Sequence, residues 1–521
     1  MINSSVSRSS VSRRSVLAAL TLTLALADGA IPAAHAAGPE TYTLTVRHLD
    51  RAGRSTGSYE TTVTGLSGPG AGRAVKPHGD SGTTTVRLPK GRYLLDSYLS
   101  GGSAAAGADW VVQPRLDLDR NTTVTVDART TAPVDVSPPD RSADFLQGAM
   151  FVQVTHGGTA RVVNRLAGSP RLRVGHLGPA AEAGSVKQWY DAYWTTKNTT
   201  YALGDSVTGD RALTGLTRHP AAKDLATVRV QGAARPGAQG SATADVQPAG
   251  LSIGASRKFP VPGATTFLVT PGRGPWEFVY WAPTAPGAPA TRYTAGPLAV
   301  RAGSTTTLAF DNPVLGPTLT GRHRVVRSGN RLAVDVPLLA DGGGHAPSAS
   351  AYATASTTLH RDGKPVGTRS GAPGRAEFTV PPGRASYRVT STAQRKGASG
   401  AATRVTAAWT FVSRATTRPT PLPVSVVRFS PRLAPGGTAV AGGDLRIPVA
   451  VEGAAAGGRV RSLKVSVSMD GGKSWTRVPV ERDAVTVRNP RAGTGVSLRA
   501  ELTDTAGNTL AQTVVDAYRT R

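Results

Sequence analysis

A chain of 521 residues exceeds what one hydrophobic core organises, and its 60 Gly and 38 Pro favour short strands and turns over helices. With no cysteine, disulfide scaffolds, thiol nucleophiles and Cys-ligated metal centres are excluded. The formal charge of +27 offers attraction to an anionic polymer, but the basic residues are spread along the chain, so no specific nucleic-acid reader is expected.

Taken in order, residues 1–36 carry the three parts of a secretory signal: Arg8, Arg13 and Arg14, an apolar stretch from Val16 to Ala27, and Ala34-His35-Ala36 before Ala37. Ser12-Arg13-Arg14-Ser15-Val16-Leu17 fits the twin-arginine type, with the general secretory route as the alternative. The apolar stretch is too short to span a bilayer and no later one reaches about 18 residues, so the expectation is a secreted, extracellular protein without a transmembrane segment.

Residues 38–131 are expected to form a first β-sandwich. Tyr42, Leu44 and Val46 alternate with polar neighbours, and Thr83 to Tyr98, TTTVRLPKGRYLLDSY, reads as two strands joined at a turn, Pro89 to Arg92. Leu116 to Ala128 closes the unit. This order resembles the transthyretin-like or carboxypeptidase-regulatory sandwich. The strand–turn–strand outline recurs at Thr265 to Trp281 around Pro271-Gly272-Arg273, and at Glu377 to Val389 around Pro381-Pro382-Gly383-Arg384.

Thr131 to Ser142, with Pro133, Pro138 and Pro139, reads as a linker, residues 143–312 as a larger β domain, and residues 313–418 as a further β-sandwich. Thr416 to Pro423 is the next linker candidate. In residues 424–521, alternating runs such as Leu445, Ile447, Val449 and Val451, with turns at Asp470-Gly471-Gly472 and Asp504 to Asn508, predict an immunoglobulin-like or fibronectin-like sandwich. The fold expected is all-β, with several antiparallel β-sandwich domains, transthyretin-like and immunoglobulin/fibronectin-like, in tandem.

Val427 to Gly442 (VRFSPRLAPGGTAVAG), Val467 to Val478 (VSMDGGKSWTRV) and Gly493 to Arg519 resemble the non-catalytic C-terminal accessory region of large secreted actinobacterial subtilisin-like serine proteases, the subtilases. Tyr42 to Leu66 is similar to the segment that follows their protease domain. A subtilase needs a Ser, a His and an Asp in its own three motifs, because the base must reach the nucleophile and be oriented in turn. None of these motifs is present, so the resemblance implies a relative with the accessory region and without the protease.

Other candidate chemistry is sparse. His156-Gly157-Gly158-Thr159 lacks a serine segment to serve, Gly79-Asp80-Ser81-Gly82 sits in a glycine-rich turn, and Gly204-Asp205-Ser206 has no downstream Asp-x-x-His partner. Asp117 and Asp119 share one strand face and could touch a calcium ion, although solvated carboxylates are the plainer reading. Ser468 to Trp475 matches the Asp-box hairpin, in which Asp and Ser tie a turn and the Trp packs below it as core. No cofactor or metal site is expected.

Two aromatic clusters stand out in a chain only 5% aromatic. They are Trp189, Tyr190, Tyr193 and Trp194, and Trp276, Phe278, Tyr280 and Trp281; alternation puts Trp276, Phe278 and Tyr280 on one strand face and Trp281 on the other. They are either a shared core or a ligand-binding surface for sugar or peptide, with Trp189, Tyr190, Tyr193, Trp194, Trp276, Tyr280 and Trp281 as the contact residues. The expected function is that of a secreted, non-catalytic binding protein engaging extracellular protein or anionic cell-wall polymer. A carbohydrate-binding module protein and a serine hydrolase with an unrecognised site are the alternatives, and nothing in the residues sets an oligomeric state.

Overall fold

The computed structural model describes residues 39–101, 106–233, 241–248, 250, 253–283, 291–350, 352–395, 402–434 and 436–521. Residues 1–36, expected to be a secretory signal, lie outside them. The chain divides into Met1–Glu40 and Thr41–Arg521, and the described residues of the second unit form strands and two single-turn 3₁₀ helices. Among the described residues no helix is long and apolar enough to cross a membrane. The protein is all-β, with packed sheets in tandem.

Alternation decides which side chains enter the cores. In Thr41–Leu49, Leu44, Val46 and His48 are buried while Arg47 is exposed. This strand lies between Thr83–Pro89 and Thr122–Asp127 in a three-stranded sheet. Its apolar face shares a core with Tyr59, Leu95, Leu99, Val111 and Leu116 of a seven-stranded sheet. That sheet runs in the order Leu216–Arg218, Ala132–Val136, Leu172–His176, Ala108–Leu118, Gly91–Ser100, Tyr59–Gly65, Ala74–Val75.

The stretch expected to link the first two domains therefore supplies a strand. Ala132–Val136 pairs with both Leu172–His176 and Leu216–Arg218, because Val134 and Val136 alternate and bury. The other face of the seven-stranded sheet, with Leu94, Trp110, Val112 and Val174, packs on Met150, Val152, Val186, Tyr190 and Leu203 of a second seven-stranded sheet. The second sheet runs Thr159–Ala167, Asp144–His156, Val186–Thr195, Thr199–Gly209, Gly263–Val269, Ala226–Gly232, Thr305–Phe310. Its far half packs on a five-stranded sheet carrying Trp276, Phe278 and Tyr280.

Residues 313–521 share one large core. A nine-stranded sheet holds Thr354–Arg361, Ala385–Gln394 and Arg404–Ser413 beside Thr509–Thr520, Gly495–Asp504 and Val460–Ser468. Two small sheets contribute Val325, Leu332 and Phe378, and Val427, Ile447 and Val485, to the same core. Thr420–Pro421, inside the second expected linker, pairs with Arg324–Ser328.

The strand–turn–strand outlines are strands as expected, but they are not hairpins. Thr83–Pro89 belongs to the three-stranded sheet and Gly91–Ser100 to the seven-stranded one. Gly263–Val269 and Trp276–Ala282 lie in different sheets, as do Arg375–Thr379 and Ala385–Gln394. In all three places the Pro/Gly segment carries the chain from one sheet to the facing one. Proline has no N–H for a ladder and glycine admits the bend, so pairing stops and the strand changes layer.

Candidate functional site

Most of the aromatic residues expected to form a contact surface belong to cores instead. Trp189, Tyr190, Tyr193, Trp276 and Tyr280 are buried, and Trp194 is half-buried with its ring edge-on to Phe145, centroids 5.0 Å apart. The reason is position. Val186–Thr195 is an interior strand flanked by Asp144–His156 and Thr199–Gly209, and both of its faces are covered. Tyr190 and Ala192 enter one core, Tyr193 enters another, and Trp189 stacks on Phe151 at 5.7 Å. Trp281 alone of the seven is exposed, on the opposite face from Trp276 and Tyr280, where its Nε1 donates to Asp245 Oδ2 (2.9 Å) and Arg292 lies over the ring.

The aromatic run nevertheless positions a polar cleft. Asp191 is fully buried between Tyr190 and Ala192, a costly location for a carboxylate without a partner. Arg273 supplies the partner, donating from Nε to Oδ1 (2.9 Å) and from Nη2 to Oδ2 (3.0 Å). Burial pushes the Asp191 carboxyl up to about 6, and the Arg273 guanidinium pulls it back. Burial also raises the neighbouring Tyr190 hydroxyl, helped by the Asp191 charge.

Register brings these groups together. Asp191 sits opposite Gly204 in the antiparallel pair, and Ala202 sits beside Val269 in the parallel pair next to it. The turn after Val269 then lies over the sheet, with Gly204 N–H donating to Thr270 Oγ1 (3.2 Å) and Trp276 Nε1 to the Thr270 carbonyl (2.9 Å). Gly204 is needed for close approach. A Cβ there would lie 2.7 Å from Arg273 Cγ and 2.9 Å from Asp191 Oδ1.

Arg273, Thr270, Tyr190, Leu203 and Asp205 line one side of a cavity of about 480 Å³, and Val136, Thr217, Arg218 and His219 complete it. Arg218 Nε pairs with Asp205 Oδ2 at 2.5 Å, and His219 Nε2 with Asp135 Oδ1 at 2.9 Å. The cleft thus gathers residues from two sheets, drawn from a stretch of chain that runs from Val136 to Arg273. None of Asp191, Asp205, Arg218, His219 or Arg273 was expected as a site residue. The available signal was Asp191 itself, a lone carboxylate inside a run of rings, which requires a buried cation from elsewhere.

The remaining motifs are structural. Gly157 and Gly158, at φ 55° and 75°, make the two-residue turn between Asp144–His156 and Thr159–Ala167. His156 Nδ1 lies 3.2 Å from Glu182, which also pairs with Arg92. Asp117 is held by Arg92 and Arg115, each at 2.7 Å, and Asp119 by Arg120, so both carboxylates have protein cations. Gly82 offers its carbonyl to the buried His48 (3.0 Å), which makes the Gly79–Gly82 segment a lid on the first core.

Ser468 Oγ, Ser474 Oγ and the Ser474 and Lys473 amides all converge on Asp470, holding its carboxyl far below the usual range. Trp475 is half-buried rather than core, with the Arg499 guanidinium 4.0 Å above its ring. A second cavity of about 400 Å³ is lined by His345, whose Nδ1 donates to the fully buried Asp341 (3.0 Å). Asp341 also accepts from the Gly343, His345 and Asp311 amides, which ties the loop closed.

No family model matches this chain, and no curated protein does. Among solved structures it is similar to the Bacillus anthracis TIE protein, at 12% identity over 67% of this chain and 69% of that one, with a TM-score of 0.13. It is also similar to a streptococcal ancillary pilin (10% identity, 52% of this chain and 98% of that one, TM-score 0.12). Chicken CNTN1 FN1–FN3 domains give 10% identity over 65% of this chain and 96% of theirs, with a TM-score of 0.13. Likenesses at these scores carry no functional weight.

Proposed function

We propose that this chain is a secreted, non-catalytic binding protein related to subtilase accessory regions, which engages extracellular protein or anionic wall polymer. The observation that carries the reading is the state of the cleft's titratable groups. Arg273 is paired with Asp191, Arg218 with Asp205, and His219 with Asp135. Guanidiniums held by carboxylates offer an incoming molecule N–H donors in fixed positions, which favours binding. The high positive charge supplies a salt-sensitive attraction to anionic polymer in addition.

The test is retention of the purified chain on insoluble cell wall, chitin, cellulose and immobilised secreted protein at low and high salt. Retention on wall or secreted protein, weakened but not abolished by high salt, is the expected result. Loss of all binding at both salts, or release of product from a fluorogenic peptide and ester panel, would overturn the reading.

A further inference from the structure

The cleft leaves particular donors unused. Arg273 meets Asp191 with Nε and Nη2, so Nη1 stays outside that pair. Arg218 Nε lies against Asp205 Oδ2 as an ion pair and Nη1 donates to the Thr217 carbonyl, so Nη2 takes part in neither contact. His219 Nε2 lies 2.9 Å from Asp135 Oδ1, so Nδ1 stays outside that pair and is a donor in the protonated ring. All three side chains line the same cavity, beside the apolar walls of Val136 and Leu203.

The charges select among anions. Each guanidinium is already matched by one carboxylate, so the lining has little surplus positive charge with which to neutralise a dianion. A singly charged, planar acceptor suits this arrangement better, because it takes several N–H donors at once and adds one charge. Arg273 is held in place by the buried Asp191 beneath it, so little side-chain freedom is lost when it donates.

We propose that the cleft binds a carboxylate-bearing ligand, its carboxylate taken by Arg218 and Arg273 with His219 beside them, and its carbon skeleton against Val136 and Leu203. This rests on the binding reading above and names the ligand class for that cleft. The carboxylate can belong to an acidic sugar or to a peptide C-terminus, and the experiment separates the two.

The purified full chain is titrated calorimetrically at low salt with glucuronate, N-acetyl-alanyl-alanine, the C-terminal amide of that dipeptide, and inorganic phosphate. Saturable binding of one carboxylate probe is expected, with none of the amide, and the probe that binds identifies sugar or peptide. Arg218→Gln, a change at a half-exposed side chain, should weaken that binding roughly tenfold while circular dichroism stays unchanged. If Arg218→Gln perturbs the fold, the double variant Asp191→Asn/Arg273→Gln, which removes both buried charges together, takes its place with the same expected loss.

Absence of binding by both carboxylates, equal binding of the amide, tighter binding of phosphate, or unchanged affinity in the variant would each overturn the proposal. The two readings fail separately. A chain that binds a carboxylate probe but is not retained on wall or secreted protein keeps the cleft assignment and loses those partners. A chain retained equally with and without Arg218→Gln keeps a binding role and loses the cleft as its site.

Discussion

His48 shows how a single side chain is committed by its surroundings. It is fully buried, its Nδ1 donates to the Gly82 carbonyl (3.0 Å), and its Nε2 accepts from Thr61 Oγ1 (2.7 Å), which in turn meets Ser97 Oγ at 2.6 Å. That chain of bonds suits the neutral ring, and burial lowers its pKa to about 4. The unfolded ring takes its proton near pH 6.5 and the folded one only near 4, so the stability contributed is complete above 6.5 and is lost as pH falls toward 4. Between pH 7 and pH 5 the loss should be about 2 kcal/mol. Urea unfolding at the two pH values measures it, and His48→Gln should remove most of the difference; an equal pH dependence in both proteins would show that His48 is not the source.

At the scale of elements, the repeated Pro/Gly segments are legible as strand ends and illegible as destinations. Pro89-Lys90-Gly91, Pro271-Gly272-Arg273 and Pro381-Pro382-Gly383 each stop a ladder, yet a hairpin and a change of sheet begin alike in sequence. What separates them is which neighbour the next strand finds. The C-terminal strand makes the same point. Thr509–Thr520 lies between Arg404–Ser413 and Gly495–Asp504 at the centre of the nine-stranded sheet and buries Leu510, Val514, Ala517 and Tyr518. Ending the chain at Asn508 would leave two strands with unpaired backbone groups facing the gap. The expected outcome is unfolding of residues 313–508 as a whole, since the lost ladder and core exceed a stability of about 5–15 kcal/mol. Limited proteolysis of the truncated chain checks this; survival of a protected fragment from residues 313–418 would contradict it.

At the scale of the molecule, the boundaries suggested by composition do not coincide with the edges of the sheets. The seven-stranded sheet containing Ala108–Leu118 also contains Leu172–His176 and Leu216–Arg218, and the core of residues 313–521 runs across Thr416 to Pro423. Arg428 crosses the same junction, its guanidinium buried and donating to the carbonyls of Gly316 (3.0 Å) and Pro317 (3.1 Å). Residues 313–521 should therefore unfold in one calorimetric transition, and fragments divided at residue 420 should remain unfolded separately and recover structure on mixing. Two independent transitions assigned to the two halves of this segment would refute that coupling.

Alternation, β-branched residues and Pro/Gly punctuation act over a few neighbours, so the all-β class and, in most cases, the apolar side of a strand are readable from the residues. The separation of Trp281 from Trp276 and Tyr280 was legible for that reason. Tertiary structure alone decided that Ala132–Val136 is a strand in a shared sheet, that most of the rings are core, and that Asp191, Arg273, Arg218 and His219 meet at one cleft. Those outcomes depend on strand pairing and layer packing between residues far apart in the chain. Local pattern sets a strand's faces, whereas the energy of burying a ring or pairing a charge is set by whichever distant strand comes to lie against it.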